Sequence, residues 1–248
     1  MTLRELLDSA TVTYGGWCSI PSPLVAELVC GAGFDWVCVD SQHGFVDHET
    51  LVTMLQAVDV WGRPSVVRVP WNDPAEIMKA LDAGAQGVIV PMVNSPEEAV
   101  RAVEACRYPP AGIRSWGLNR RAFAGGYTAE SGNIDTVCAI QIETSNGLRA
   151  THDILAVPGI DIAYVGPADL AVSAGITPTF DVTSTEHEKM ITDLLHACLD
   201  RGIVPGIHAA SPKSAMRWRE AGFRFITAAS DVGYIREGAR ATLTALRD

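Results

Sequence analysis

Lysine is scarce. Three occur in 248 residues, Lys79, Lys189 and Lys213, and all fall in segments of helical periodicity. Schiff-base chemistry needs a lysine amine projecting from a strand into a pocket, and none is available. The six cysteines (Cys18, Cys30, Cys38, Cys106, Cys138 and Cys198) form no C-x-x-C pair, and most lie in apolar segments typical of reduced core thiols. That usage suits a reducing cytoplasm. No apolar run reaches 18 residues, and the opening MTLRELLDSATV carries Arg4, Glu5 and Asp8 where a secretory peptide would need an apolar stretch. The expectation is a soluble, unprocessed chain with no membrane partner. A G-x-S-x-G elbow, a P-loop and a G-x-G-x-x-G after a strand are also missing, which weakens hydrolase, NTPase and dinucleotide readings. Basic residues are outnumbered by acidic ones, 19 to 29, and the net charge of −10 would repel a phosphate backbone, so no nucleic-acid partner is expected. Small anionic substrates stay open, because one arginine or a metal ion reverses the field inside a pocket.

What is present is a rhythm. Short β-branched runs alternate with helical patterns along the whole chain, the signature of βα units around a parallel sheet. Candidate strands are GWCSI (16–20), WVCVD (36–40), SVVRVP (65–70), GVIVPM (87–92), VCAIQIE (137–143), IAYVGP (162–167), VPGIHA (204–209) and FRFITAA (223–229). Each is followed by a helix candidate opened by Ser, Asp or Pro and often closed by Gly, as in Ala83-Gly84 and Arg201-Gly202. Eight such units predict an α/β fold of the (βα)8 TIM-barrel type, one domain over residues 1–248; a doubly wound open sheet has the same periodicity. Two connections are long, 107–133 and 171–186. Both are taken to follow a strand on its carboxyl side, as a lid or a subunit contact.

In a barrel, the residues ending the strands converge on one opening. Those residues are Asp40, Arg68, Glu143 and, through Gly166 and Pro167, Asp169. Glu143 and Asp169 end neighbouring strands, roughly 4.7 to 4.9 Å apart by sheet geometry. Two carboxylates that close repel unless a cation lies between them, and few carboxylates with room for water suit Mg2+ or Mn2+. Alternatively, one carboxylate pairs with an arginine and the other caps the next helix. Arg68, within VVRVPW, either grips an oxyanion or forms a structural pair with Asp82 or Asp40. His43 alone reads as structural, but beside Asp40, which would fix its tautomer, it becomes an acid/base candidate. His48, His152, His187 and His196 read as solvated helix residues; His208, ending a strand, is less easily dismissed.

The segments GFDWVCVDSQHG, VVRVPWNDP, VPMVNSPEEA, CRYPPAGIRSWG, QIET and VGPADLA stand in an order that resembles the HpcH/HpaI aldolase family, over roughly residues 3–245. The resemblance implies a phosphoenolpyruvate/pyruvate-type barrel and a class II aldolase. Such an enzyme cleaves a 4-hydroxy-2-oxo acid to pyruvate, or hydroxypyruvate, and an aldehyde, through an enolate held on a divalent metal. It implies Glu143 and Asp169 as metal ligands for Mg2+ or Mn2+, with Co2+ or Zn2+ as further options, and Gln141 near the metal's waters. It further implies His43 with Asp40 as acid/base pair, Arg68 at the keto oxygen, Asp82 at a subunit contact near the site, Trp17 lining the pocket, and the amides around Ala168 and Asp169 receiving the substrate carboxylate. His208 stands where related sequences often carry an aliphatic residue. The common Asp-x-Glu-His reads Asp40-Ser41-Gln42-His43 here. Partners implied are a small 2-oxo acid, an aldehyde and further copies of the chain, in a hexamer built as a trimer of dimers that exchanges the last helix, about 232–247. The alternatives are a lyase of the same superfamily acting on a coenzyme A thioester, for which Arg114, Arg120 and Arg121 give a sparse phosphate track, and a non-catalytic metabolite-binding barrel.

Overall fold

The computed structural model describes residues 1–178, 182, 184–209 and 211–247. Eight parallel strands form one closed barrel: β1 (Thr13–Cys18), β2 (Trp36–Asp40), β3 (Ser65–Arg68), β4 (Gly87–Val90), β5 (Val137–Ile142), β6 (Ile162–Val165), β7 (Val204–His208) and β8 (Phe225–Ser230). The helices are α1 (Leu3–Asp8), α2 (Pro23–Gly31), α3 (His48–Val60), α4 (Pro74–Asp82), α5 (Pro96–Cys106), α6 (Ala129–Asp135), α7 (Ser145–Arg149), α8 (Thr151–Ile154), α9 (Pro167–Ser173), α10 (Thr185–Arg201), α11 (Pro212–Ala221) and α12 (Asp231–Ala245). The barrel expected from the rhythm is therefore present, and every strand lies within three residues of its expected bounds.

Local sequence sets the helix boundaries. Ser22, Asp73, Ser95 and Ser211 each accept a backbone N–H from the first turn of their helix and are followed by proline, whose missing N–H costs nothing there. At the other end, Gly202 takes φ 68° to stop α10, a left-handed turn that a side chain would oppose.

Two apolar layers result. Cys138, Ile140 and Ile142 of β5 pack outward against the helices, while Val137 and Ala139 point into the barrel with Trp36, Cys38, Val66, Ile162, Tyr164 and Phe225. Trp36 and Phe225 stack at 3.7 Å. The amino end of the barrel is plugged by α1: Leu3 and Leu6 are buried with this inner layer, and Arg4 pairs with Asp161 at 2.6 Å. No described helix is long and apolar enough to cross a membrane.

One expectation about the loops is overturned. The 107–133 segment follows α5, not β4, so it lies where helices return to the next strand, at the amino end of the barrel. Three of its arginines are held by carboxylates away from the carboxyl end: Arg114 pairs with Asp82, Arg120 with Asp59 and Arg121 with Asp135. It is no lid over the carboxyl end. The other long connection follows α9, the short helix directly after β6, and residues 179–181 and 183 of it fall outside the described residues.

Candidate active site

Strand parity selects the site. Side chains alternate across a strand, so the inward positions of β5 continue through Gln141 to Glu143. Likewise Trp36 and Cys38 lead to Asp40, Val66 to Arg68, and Ile162 and Tyr164 to Gly166. At the carboxyl ends these residues meet in a cavity of about 290 Å³. Trp17 and Ser19 reach it from the β1 side, Asp40 and His43 from β2 and its loop, Arg68 from β3 and Gln141 from β5. The β6–α9 junction contributes residues 166–169, β7 contributes His208 and β8 Ser230.

Asp40 and Arg68 are register partners across β2 and β3. Their side chains form a two-pronged pair, Nε to Oδ1 at 2.9 Å and Nη2 to Oδ2 at 2.6 Å. Asp40 Oδ1 also accepts the backbone N–H groups of Gln42 and His43, and Oδ2 that of the Trp17 indole at 3.3 Å. Burial alone would raise the Asp40 carboxyl, but the Arg68 fork and these amides outweigh it and hold it below its ordinary value. This corrects the expected division of labour. Asp40 meets His43 through the backbone, and its carboxylate holds Arg68 and shapes the 40–43 turn. Gly44 completes that turn, since a Cβ there would run into the Asp40 carbonyl. Of the two structural partners weighed for Arg68, the ion pair is with Asp40.

Glu143 is 1% exposed at the end of β5. Its Oε1 accepts the N–H of Met92 at 2.9 Å, and its Oε2 accepts from Gln141 Nε2. Met92, after β4, holds φ 59°, a left-handed conformation that costs a non-glycine residue roughly 1–3 kcal/mol and is typical of functional sites. Burial pushes the Glu143 carboxyl up to about 7, and the negative charge of Asp169 adds to the shift. Asp169 occupies the third position of α9, whose N-terminus has no side-chain cap. Hence the amides of Ala168 and Asp169 are donors without a helical acceptor. The two carboxylates suit a divalent cation in three respects. They oppose each other's charge, Gln141 Oε1 is buried without a partner, and Gly166 keeps the space clear, because a Cβ there would collide with Glu143 Oε2. Among the described residues no group of three or more His, Cys, Asp or Glu side chains forms a metal site, so any ion here would rest on two carboxylates and oxygen ligands of other kinds.

His208, ending β7, continues the wall beside β6. Tyr164 donates its O–H to Thr227 at 2.9 Å and lies 3.4 Å from His208 Nδ1, while Trp17 meets the imidazole edge-on at 4.7 Å. Burial, with Arg68 adding, pushes the imidazole down to about 4, so it is neutral at neutral pH. His43 is exposed at the lip.

Of the residues expected at the site, Trp17, Asp40, His43, Arg68, Gln141, Ala168, Asp169 and His208 line the cavity, and Glu143 lies directly behind it. Asp82 does not join them. It ends α4 at the far end of the barrel, pairs with Arg114 at 2.7 Å and does not line this cavity of its own barrel. Arg114, Arg120 and Arg121 lie there too, each committed to a carboxylate, and make no track to the mouth. His187 also departs from expectation: it is fully buried, whereas His48, His152 and His196 are exposed. Ser19, Ser230, Met92 and the Tyr164–Thr227 pair went unnoticed in the sequence. Parity along β6 and β8 would have marked Tyr164 and Thr227; nothing local marks the other three.

The family model for HpcH/HpaI aldolase/citrate lyase matches residues 13–237. A 4-hydroxy-2-oxo-heptane-1,7-dioate aldolase from Klebsiella pneumoniae subsp. pneumoniae is 37% identical over 244 residues, covering 96% of this chain and 91% of the relative. A relative of the same name from Salmonella arizonae is 37% identical over 246 residues, with the same coverage. Among solved structures, a HpcH/HpaI aldolase/citrate lyase family protein from Burkholderia cenocepacia superposes with a TM-score of 0.93 at 34% identity, over 99% of each chain.

Proposed function

The chain belongs to the HpcH/HpaI aldolase/citrate lyase family, and on that premise we propose that it is a divalent-metal aldolase, which reversibly cleaves a 4-hydroxy-2-oxo acid to pyruvate, or hydroxypyruvate, and an aldehyde. The buried cluster of Glu143, Gln141 and Gly166 facing Asp169 carries the proposal. Glu143 and Asp169 would hold the ion, Mg2+ or Mn2+ before Co2+ or Zn2+. When bound, it polarises the 2-oxo acid carbonyl and stabilises negative charge developing there.

The protein groups do the remaining work. The free amides of Ala168 and Asp169 at the start of α9 receive the substrate carboxylate. Arg68 keeps its charge under the Asp40 fork, which uses Nε and Nη2 and leaves Nη1 to donate to the developing oxyanion. Its guanidinium also lies 4.8 Å over the Trp17 ring, which fixes the plane of the fork. His43, at the lip, takes the proton from the C4 hydroxyl during cleavage and returns it during addition. Gln42, whose Oε1 is buried without a partner, backs this turn without lining the cavity.

The proposal extends to assembly and location. Residues 1–248 make one barrel domain whose last helix passes to a neighbouring copy, within a hexamer built as a trimer of dimers. In support, α12 buries only Asp231 and exposes Val232, Ile235 and Leu243, beside an apolar groove lined by Val25, Leu28, Phe34 and Tyr234. A cytoplasmic location accords with six buried free cysteines.

The test is deuterium exchange into the methyl group of pyruvate. Chelator-stripped protein should exchange poorly and recover with Mg2+, Mn2+ or Co2+; equal exchange in the stripped protein would sink the reading. A non-catalytic barrel binds pyruvate without exchange under any metal.

A further inference from the structure

We infer that the aldehyde handled at this site is a small neutral hydroxyaldehyde, hydrogen-bonded by a wall of serine hydroxyls, Ser19 and Ser230, in preference to an aldehyde that carries a carboxylate. The inference rests on the aldolase reading and names its second substrate.

The cavity has two chemically different sides. Glu143, Asp169 and the start of α9 define one, where the 2-oxo acid head belongs in that reading. The remainder of the substrate then extends across the barrel mouth toward β8 and β1. There the lining changes to Ser230 and Ser19, with Trp17 the register partner of Ser230. Both serines have fixed backbones. Asp231, only 2% exposed, accepts the N–H of Ser19 at 2.9 Å and of Ile20 at 2.8 Å through Oδ2, and that of Val232 through Oδ1. Ser230 Oγ accepts the Gly233 N–H at 3.3 Å as the cap of α12, so its own proton is still available to donate. The Ser19 hydroxyl makes no hydrogen bond to any described residue. Hydroxyls on fixed backbones with bonding capacity left over favour a ligand that also carries hydroxyls, because an alkyl group in the same place would strip their water and return nothing.

Charge points the same way. Arg68 is the one arginine or lysine among the described residues lining the cavity, and Asp40 already neutralises it. In the aldolase reading the ion is matched by Glu143 and Asp169, and the His208 imidazole is neutral. Among the groups this chain supplies, a distal carboxylate would therefore meet no unmatched cation, at a cost that a neutral hydroxyl avoids.

Glycolaldehyde and propanal match in size and differ by one hydroxyl. With pyruvate and saturating metal, kcat/KM for addition is compared for these two and for succinic semialdehyde. The wild-type protein should prefer glycolaldehyde over propanal by about tenfold or more, as one or two neutral hydrogen bonds imply. Ser19→Ala/Ser230→Ala should lower that ratio by about threefold or more relative to the wild-type protein, and Ser19→Ala/Ser230→Thr, which keeps one hydroxyl, should restore part of it. Comparing ratios between variants cancels the intrinsic reactivity of each aldehyde, and thermal unfolding confirms that the variants fold. An unchanged ratio in the double alanine variant, or a wild-type preference for succinic semialdehyde, overturns the inference. Methyl exchange of pyruvate needs no aldehyde: its absence in the wild-type protein sinks the aldolase reading itself, whereas exchange without hydroxyl preference sinks only the present inference.

Discussion

Asp40→Asn should destabilise the protein through Arg68, and the size of the effect follows from the geometry. The pair is buried, with side-chain exposures of 2% for Asp40 and 10% for Arg68, and joined by bonds of 2.9 and 2.6 Å. In the variant, Oδ1 can still accept from Arg68 Nε and from the Gln42 and His43 amides, but an NH2 group now faces Nη2, donor against donor. Breaking a buried pair from one side costs about 3–5 kcal/mol, and the surviving Oδ1 bonds place this case near the lower end, at about 3 kcal/mol. For a chain of this length that corresponds to a Tm lower by about 6–12 °C. In an Arg68→Met background the same change strands no cation, so it should cost about 1 kcal/mol and leave a coupling of about 2 kcal/mol between the positions. Thermal unfolding of the four metal-free proteins at one pH measures it. A coupling under about 0.5 kcal/mol would refute the assignment of Asp40 as the holder of Arg68 and return it to partnership with the His43 ring.

The remaining outcomes concern turnover and pH. Arg68→Ala should lower turnover at saturating metal by roughly 10²- to 10³-fold, the range for removing one oxyanion donor; near-normal turnover removes Arg68 from that role. Glu143→Gln should abolish metal-restored methyl exchange of pyruvate, and retention of metal-dependent exchange would exclude Glu143 as a ligand. His208, held down to about 4 when folded, accepts a proton near its ordinary value of 6.5 when unfolded. Stability from its neutral form is therefore complete above about pH 6.5 and lost as pH falls toward 4. The wild-type Tm should drop more than that of His208→Leu between pH 7 and 4.5, and parallel curves would show that His208 is not held neutral.

The barrel was legible because its signals are local and repeated: a β-branched run, then Ser-Pro or Asp-Pro opening a helix, then glycine closing it. The carboxylates were legible because each follows closely on a strand end, Glu143 directly after β5 and Asp169 in the first turn of the helix after β6. Pairing was not legible. That Arg68 chooses Asp40 depends on the register of β2 against β3, and that Asp82 chooses Arg114 depends on a loop folding back under the barrel. The 107–133 segment was placed at the wrong end by reference to β4, although α5 intervenes and reverses the chain direction. His187 shares the polar helical pattern of His196, yet it is buried and His196 is not, a difference set by the element packed against each.

The seam of the barrel joins residues 13–18 to residues 225–230, and Asp231 clamps the turn after β1 from just beyond that seam. During synthesis β1 emerges more than 200 residues before β8 and must wait for residues 225–230 before its second edge is covered. Until then it offers an unpaired edge to any neighbouring nascent chain. One of the longest-range contacts in the fold thus also completes the serine wall of the cavity. A ribosome stalled short of residue 231 would display most of a barrel and no finished site, so assembly of the site reports that synthesis has passed β8 and Asp231.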